Sequence, residues 1–191
     1  MQEKRDKNQR FLLVRPKAKR GQIWVETVIY TLIALIMIGT ILAFAVPKVN
    51  EVKDKTIIEQ SINLIKDIND VITSVVQGGL GNKRIIEVNV KKGQLLIDSI
   101  NNKAIFEMTT DYDYSEEGKT ISLGNVDATT KRTGGTNTLT LLSTYNYDIT
   151  YNGRNDEEKT LTQSSTPYKI SIENKGKDAS SNKIIVDINL I

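Results

Sequence analysis

The chain has 191 residues, 39% apolar and 26% charged, enough for one ordinary domain with extensions and too apolar for wholesale disorder. It has no Cys and no His, which excludes disulfides, Cys-linked lipid, Cys- or His-ligated zinc and histidine general-base catalysis. The formal net charge of +3 conceals an asymmetry: residues 1–21 hold eight Lys or Arg against Glu3 and Asp6, and the remainder holds 18 basic against 21 acidic residues.

The basic run, residues 1–21, stands directly before an apolar span. From Thr27 to Val46 twenty residues pass without a charge, and at 1.5 Å per residue a helix of that length covers ~30 Å, the hydrocarbon thickness of a bilayer. A basic flank beside such a span reads as its cytoplasmic side rather than as a nucleic-acid contact, so the N-terminus is expected inside and residues from about 48 onward outside. Ala43-Phe44-Ala45 offers a small-x-small signal-peptidase site, but the apolar run is longer than a secretory signal needs. Glu26 sits within the apolar approach. An acidic group near a helix start suits the macrodipole, yet capping alone gives no reason for Gly21 to follow Lys19-Arg20 five positions earlier.

Lys19-Arg20-Gly21, then Gln22-Ile23-Trp24-Val25-Glu26 and the uncharged run, resemble the processing site of type IV pilin precursors. With Gln first after the Gly and a long basic leader, the segment is closest to the archaeal pilin-like precursors with class III signal peptides. Trp24 stands where that subgroup has Ser, and Tyr30 where it has an aliphatic residue. The resemblance covers about residues 19–46. It implies cleavage after Gly21 by a prepilin peptidase, leaving Gln22 as the new N-terminus and Glu26 as the fifth mature residue. It further implies bundling of the apolar helices in a filament core, with Glu26 meeting the α-amino group of Gln22 of a neighbouring copy. The implied partners are copies of the same chain, the peptidase, an assembly ATPase and a membrane platform protein.

Pro47 is expected to kink or end the helix, but residues 49–76 keep a helical stripe of Val49, Val52, Ile58, Ile62, Ile65, Ile68 or Ile72, and Val75 or Val76. Ile57, Leu64 and Val71 widen it, while Lys53, Asp54, Lys55, Glu59, Lys66, Asp67 and Asp70 are expected to cover the solvent side. A helix through Pro47 from Ile23 to Gln77 would measure ~80 Å. A strict coiled-coil seam would be narrower and longer sustained. Gly78-Gly79-Leu80-Gly81-Asn82 stops the helix; it lacks the Lys-Ser/Thr of a phosphate loop.

From Lys83 the period becomes two. Strands are predicted over 84–90, 95–100, 104–108, 120–123, 138–142, 145–151, around 168–172 and 184–190, separated by turns such as Lys92-Gly93, Asn152-Gly153 and Lys175-Gly176. Segments 124–137 and 152–166, rich in Gly, Thr, Ser, Asn and charge, are expected to be exposed loops. Asp111, Asp113, Glu116 and Glu117 could ligate calcium, but the twelfth position from Asp111 is Ser122 and a solvated acidic turn is preferred. Tyr145, Tyr147 and Tyr151 read as one packed strand face.

The expected fold is α+β: a long N-terminal helix, transmembrane then amphipathic, followed by an antiparallel β-rich head. The expected segments are a cleaved leader 1–21, a filament-core helix 22–46, an amphipathic helix with its Gly stop 47–81, and an extracytoplasmic head 82–191. The expected function is a structural subunit of a pilus-like surface filament for adhesion, with no catalysis, cofactor, metal or nucleic acid. The alternatives are a single-pass anchored β-domain that binds an unknown partner, or a minor pseudopilin of a secretion or filament machine.

Overall fold

The structure is a computed structural model that describes residues 20–191, with side chains described from Ile23 onward. The leader expected over 1–21, Lys19 included, therefore lies almost wholly outside the described residues. The architecture is α+β, a helix followed by ten strands. The chain divides into two compact units, one ending at Val46 and the other running Pro47–Ile191.

Helix α1 spans Arg20–Gln77 and contains Pro47. Proline lacks the amide that would bond the carbonyl four residues back, that of Ala43, so one helical bond is missing there without ending the element. In the first unit the helix carries apolar residues on every side, with Trp24 71% and Phe44 77% exposed. That part of the chain is long and apolar enough to cross a membrane, and its apolar window has no residue buried within the protein.

In the second unit α1 is one-sided, as the stripe predicts. Ile58, Ile62, Ile65, Ile68, Ile72 and Val75 are all buried. Each fully buried aliphatic side chain is worth roughly 1.5–3 kcal/mol, so this stripe is the main tie between helix and sheets. The expectation fails at its lower end: Val49 and Val52 are exposed, and the buried stripe starts at Ile58.

The strands are β1 (Lys83–Val88), β2 (Gln94–Asp98), β3 (Lys103–Thr110), β4 (Thr120–Ser122), β5 (Asp127–Thr133), β6 (Thr136–Thr144), β7 (Asp148–Tyr151), β8 (Glu158–Thr162), β9 (Tyr168–Lys177) and β10 (Ile184–Leu190). They form a four-stranded sheet ordered β1-β9-β10-β7 and a six-stranded sheet ordered β4-β5-β6-β3-β2-β8. All pairings are antiparallel except β7 with β10, which is parallel. Inward residues of both sheets, among them Val88, Leu95, Phe106, Leu141, Ile172 and Val186, join the helix stripe in a single core.

Three expectations are corrected here. Segment 124–137 contains β5 and segment 152–166 contains β8, so neither is simply a loop. The alternation at 145–151 becomes strand only from Asp148. Lys175-Gly176 is no turn: β9 runs on to Lys177, and Lys175 is the extra residue of a bulge opposite the Ile185–Val186 step.

That bulge serves the helix end. Asn174, buried at its base, donates from Nδ2 to the carbonyls of Val75 and Val76 at 3.3 and 3.4 Å and accepts from the Gly176 amide at 2.8 Å. The last helical carbonyls have no partner within the helix, so a side chain from the sheet supplies one. Asn174→Ala is expected to lower the stability of this unit by about 2 kcal/mol, read as an earlier denaturation midpoint with an unchanged slope.

Candidate functional site

The candidate site lies at the N-terminal end of α1. The helix begins at Arg20, so Gly21 and Gln22 fall in its first turn. Their side chains and that of Arg20 are outside the described ones, and of the expected processing motif Lys19–Gln22 only the backbone of residues 20–22 is described, Lys19 lying outside the described residues.

Glu26 is described fully. Tyr30, one turn further on, donates its hydroxyl to Glu26 Oε1 at 3.1 Å. Nearby hydroxyls turn back on the helix: Thr27 donates to the Ile23 carbonyl at 2.9 Å, Thr31 to Thr27 at 2.8 Å and Thr40 to Ile36 at 2.8 Å. This arrangement suits a hydrocarbon solvent, where every unbonded polar group is costly. Among the described residues the second carboxylate oxygen, Oε2, has no partner. Glu26 and Tyr30 share an open groove with Val25 and Ile29. Chemically, the helix over Ile23–Val46 offers apolar surface all round and one carboxylate oxygen that has no donor among the described residues.

The head's candidates resolve differently. Asp113 accepts from Asn137 Nδ2 at 2.5 Å and stands 4.0 Å from Arg132, while Glu116 pairs with Lys119. Asp113, Glu116, Glu117, Arg132 and Asn137 line an open cleft. Among the described residues no three His, Cys, Asp or Glu side chains gather as a metal site. Tyr145 and Tyr147 pack on the core and Tyr151 is buried. The Tyr145 hydroxyl donates to Asn69 Oδ1 of α1 at 2.6 Å, and burial pushes its phenol well above the usual range despite a bond with Ser143. After Gly78, whose amide bonds the Ser74 carbonyl at 3.0 Å, the chain leaves the helix.

Asp54 departs furthest from its expected solvent-facing place. Placed among solvent-facing charges by its neighbours, it is 6% exposed. Its Oδ1 accepts from Lys92 Nζ at 2.6 Å and its Oδ2 from the Asp111 amide at 3.0 Å. Burial acts to raise its pKa, but the bonds from Lys92, the Asp111 amide and Thr110 outweigh it and hold the carboxyl below its ordinary value. Asp111 thus contributes to the structure through its backbone, clasping the helix to the end of β3.

Comparison with protein-family models, with curated proteins and with solved structures finds no match to this chain.

Proposed function

We propose that this chain is a structural subunit of a pilus-like surface filament of the archaeal type IV class, released from its basic leader after Gly21 and polymerised through residues 22–46. One observation carries the reading: over Ile23–Val46 the helix is apolar on every side and bears one carboxylate, Glu26, one of whose oxygens has no partner among the described residues. An ion left alone in low dielectric is costly, and a cationic partner from a second copy compensates it. The α-amino group exposed at Gln22 by cleavage is the cation that the motif supplies. The mature subunit resides in the membrane with its N-terminus on the cytoplasmic side until it assembles, and the β-rich head then faces outward as the adhesive surface. Its partners are its own copies, a prepilin peptidase, an assembly ATPase and a membrane platform protein.

The test is the N-terminal residue of protein from membranes and from sheared surface material. Gln22, open or cyclised, is the expected result. An N-terminus near Met1 would instead indicate a permanently anchored surface domain, and Val46 an ordinary secreted one. In parallel, Glu26→Gln is expected to leave cleavage intact and to reduce filaments more than about a hundredfold, the scale of losing one partner from a poorly solvated ion pair. Normal filaments from that variant would overturn the reading.

A further inference from the structure

Tyr30 occupies a position where the resemblance expects an aliphatic residue, and its ring is 62% exposed rather than packed on its own chain. Of the hydroxyl-bearing side chains described between Ile23 and Val46, Thr27, Thr31 and Thr40 bond backbone carbonyls one turn back. Tyr30 alone donates to another side chain, at 3.1 Å from Glu26 Oε1. This bond has two consequences in a bilayer. A carboxylate with a donor four residues away need not find water, since in hydrocarbon no other donor is at hand. It is also held on the Tyr30 side, so one oxygen is occupied and the other keeps a fixed direction.

We propose that Tyr30 is a positioning residue for Glu26: by occupying Oε1 it keeps the carboxylate oriented before assembly and presents Oε2 to the α-amino group of a second copy. This rests on the filament-subunit reading above. Without the phenol, the carboxylate must be oriented at the moment of contact, an ordering cost that preorganisation otherwise removes. The ring contributes little, because phenylalanine presents the same apolar surface to lipid.

The experiment uses the full precursor expressed in cells of its source organism, as wild type, Tyr30→Phe, Tyr30→Leu and Glu26→Gln. Leader-cleaved subunit is quantified in membranes and in sheared filaments. Tyr30→Phe is expected to keep wild-type cleavage and membrane amounts while its filament-to-membrane ratio falls about tenfold, the scale of one hydrogen bond to a charged group. Tyr30→Leu should fall as far and no further. A ring-packing role predicts the opposite split, with the Phe variant at the wild-type ratio and only the Leu variant impaired, and that result overturns the proposal. Loss of filaments in Glu26→Gln with a wild-type ratio in Tyr30→Phe also overturns it and leaves the filament reading standing. Wild-type filaments from Glu26→Gln overturn both.

Discussion

Gly93→Ala is expected to destabilise the Pro47–Ile191 unit by about 4 kcal/mol, from backbone strain and overpacking together. Gly93 has φ +84°, a left-handed conformation that a side chain disfavours. The added methyl group would also stand 2.1 Å from the Glu107 carbonyl oxygen and 2.8 Å from Met108 Cβ. Those atoms belong to β3, which pairs with both β2 and β6, so the clash cannot be relieved by rotating one side chain. For a unit of this size the loss corresponds to a melting shift of roughly 10–15 °C. Thermal unfolding of the full chain in detergent, followed by its β-sheet signal, measures it. Gly118→Ala is the control: φ is +72° but open space surrounds the new methyl group, so only the conformational cost of about 1 kcal/mol is expected.

Asp54→Ala is expected to cost about 3 kcal/mol at neutral pH. It leaves the Asp111 amide without its acceptor and Lys92 without its counter-ion. Lys92 is 36% exposed, so water recovers part of the loss and the effect falls at the low end for a broken buried pair. The pH dependence follows from the depressed carboxyl. Its folded-state pKa lies below the ordinary 3.8, so the unfolded chain binds the proton first as pH falls. The stabilisation is complete above the unfolded value and is lost as pH drops through the folded one. The stability difference between wild type and Asp54→Ala should therefore be constant from pH 7 to about 5 and shrink below about pH 4. A gap that stays open at pH 2 would mean that packing, not charge, holds this contact.

The long helix and its buried face were legible because a 3.6-residue stripe of isoleucines has little meaning outside a helix packed on something. Val49 and Val52 continue the stripe, but sequence has no marker for where the sheets cease to cover it. Strands β5 and β8 were missed for a related reason. Their inward positions are Ala128 and Thr130 in one and Leu161 in the other, so the alternation is mostly between threonine and charge. The Thr130 hydroxyl survives inside because it accepts from the Ser115 amide at 3.2 Å, a partner 15 residues away. Asp54 was illegible likewise: Lys53 and Lys55 flank it as on any wet helix face, and its true partner lies 38 residues on. At the candidate site, the spacing from Gly21 to Glu26 was readable as a motif. The bond from Tyr30 was not, since as sequence it registered only as a departure from the pattern.

The parallel pairing of β7 with β10 has a consequence for the order in which the head can form. Asp148–Tyr151 joins its sheet only through Ile185–Ile188, and β10 is also the interior neighbour of β9. As the chain emerges from its point of synthesis, the six-stranded sheet can pair once residue 162 is out. The smaller sheet stays a single long-range antiparallel pairing of β1 and β9 until nearly the last residue described. Such late, distant closure is slow relative to local pairing, and it leaves β7 without a neighbour meanwhile. Nascent heads are thus most vulnerable to wrong pairing during a short final interval, when crowding by other nascent copies matters most.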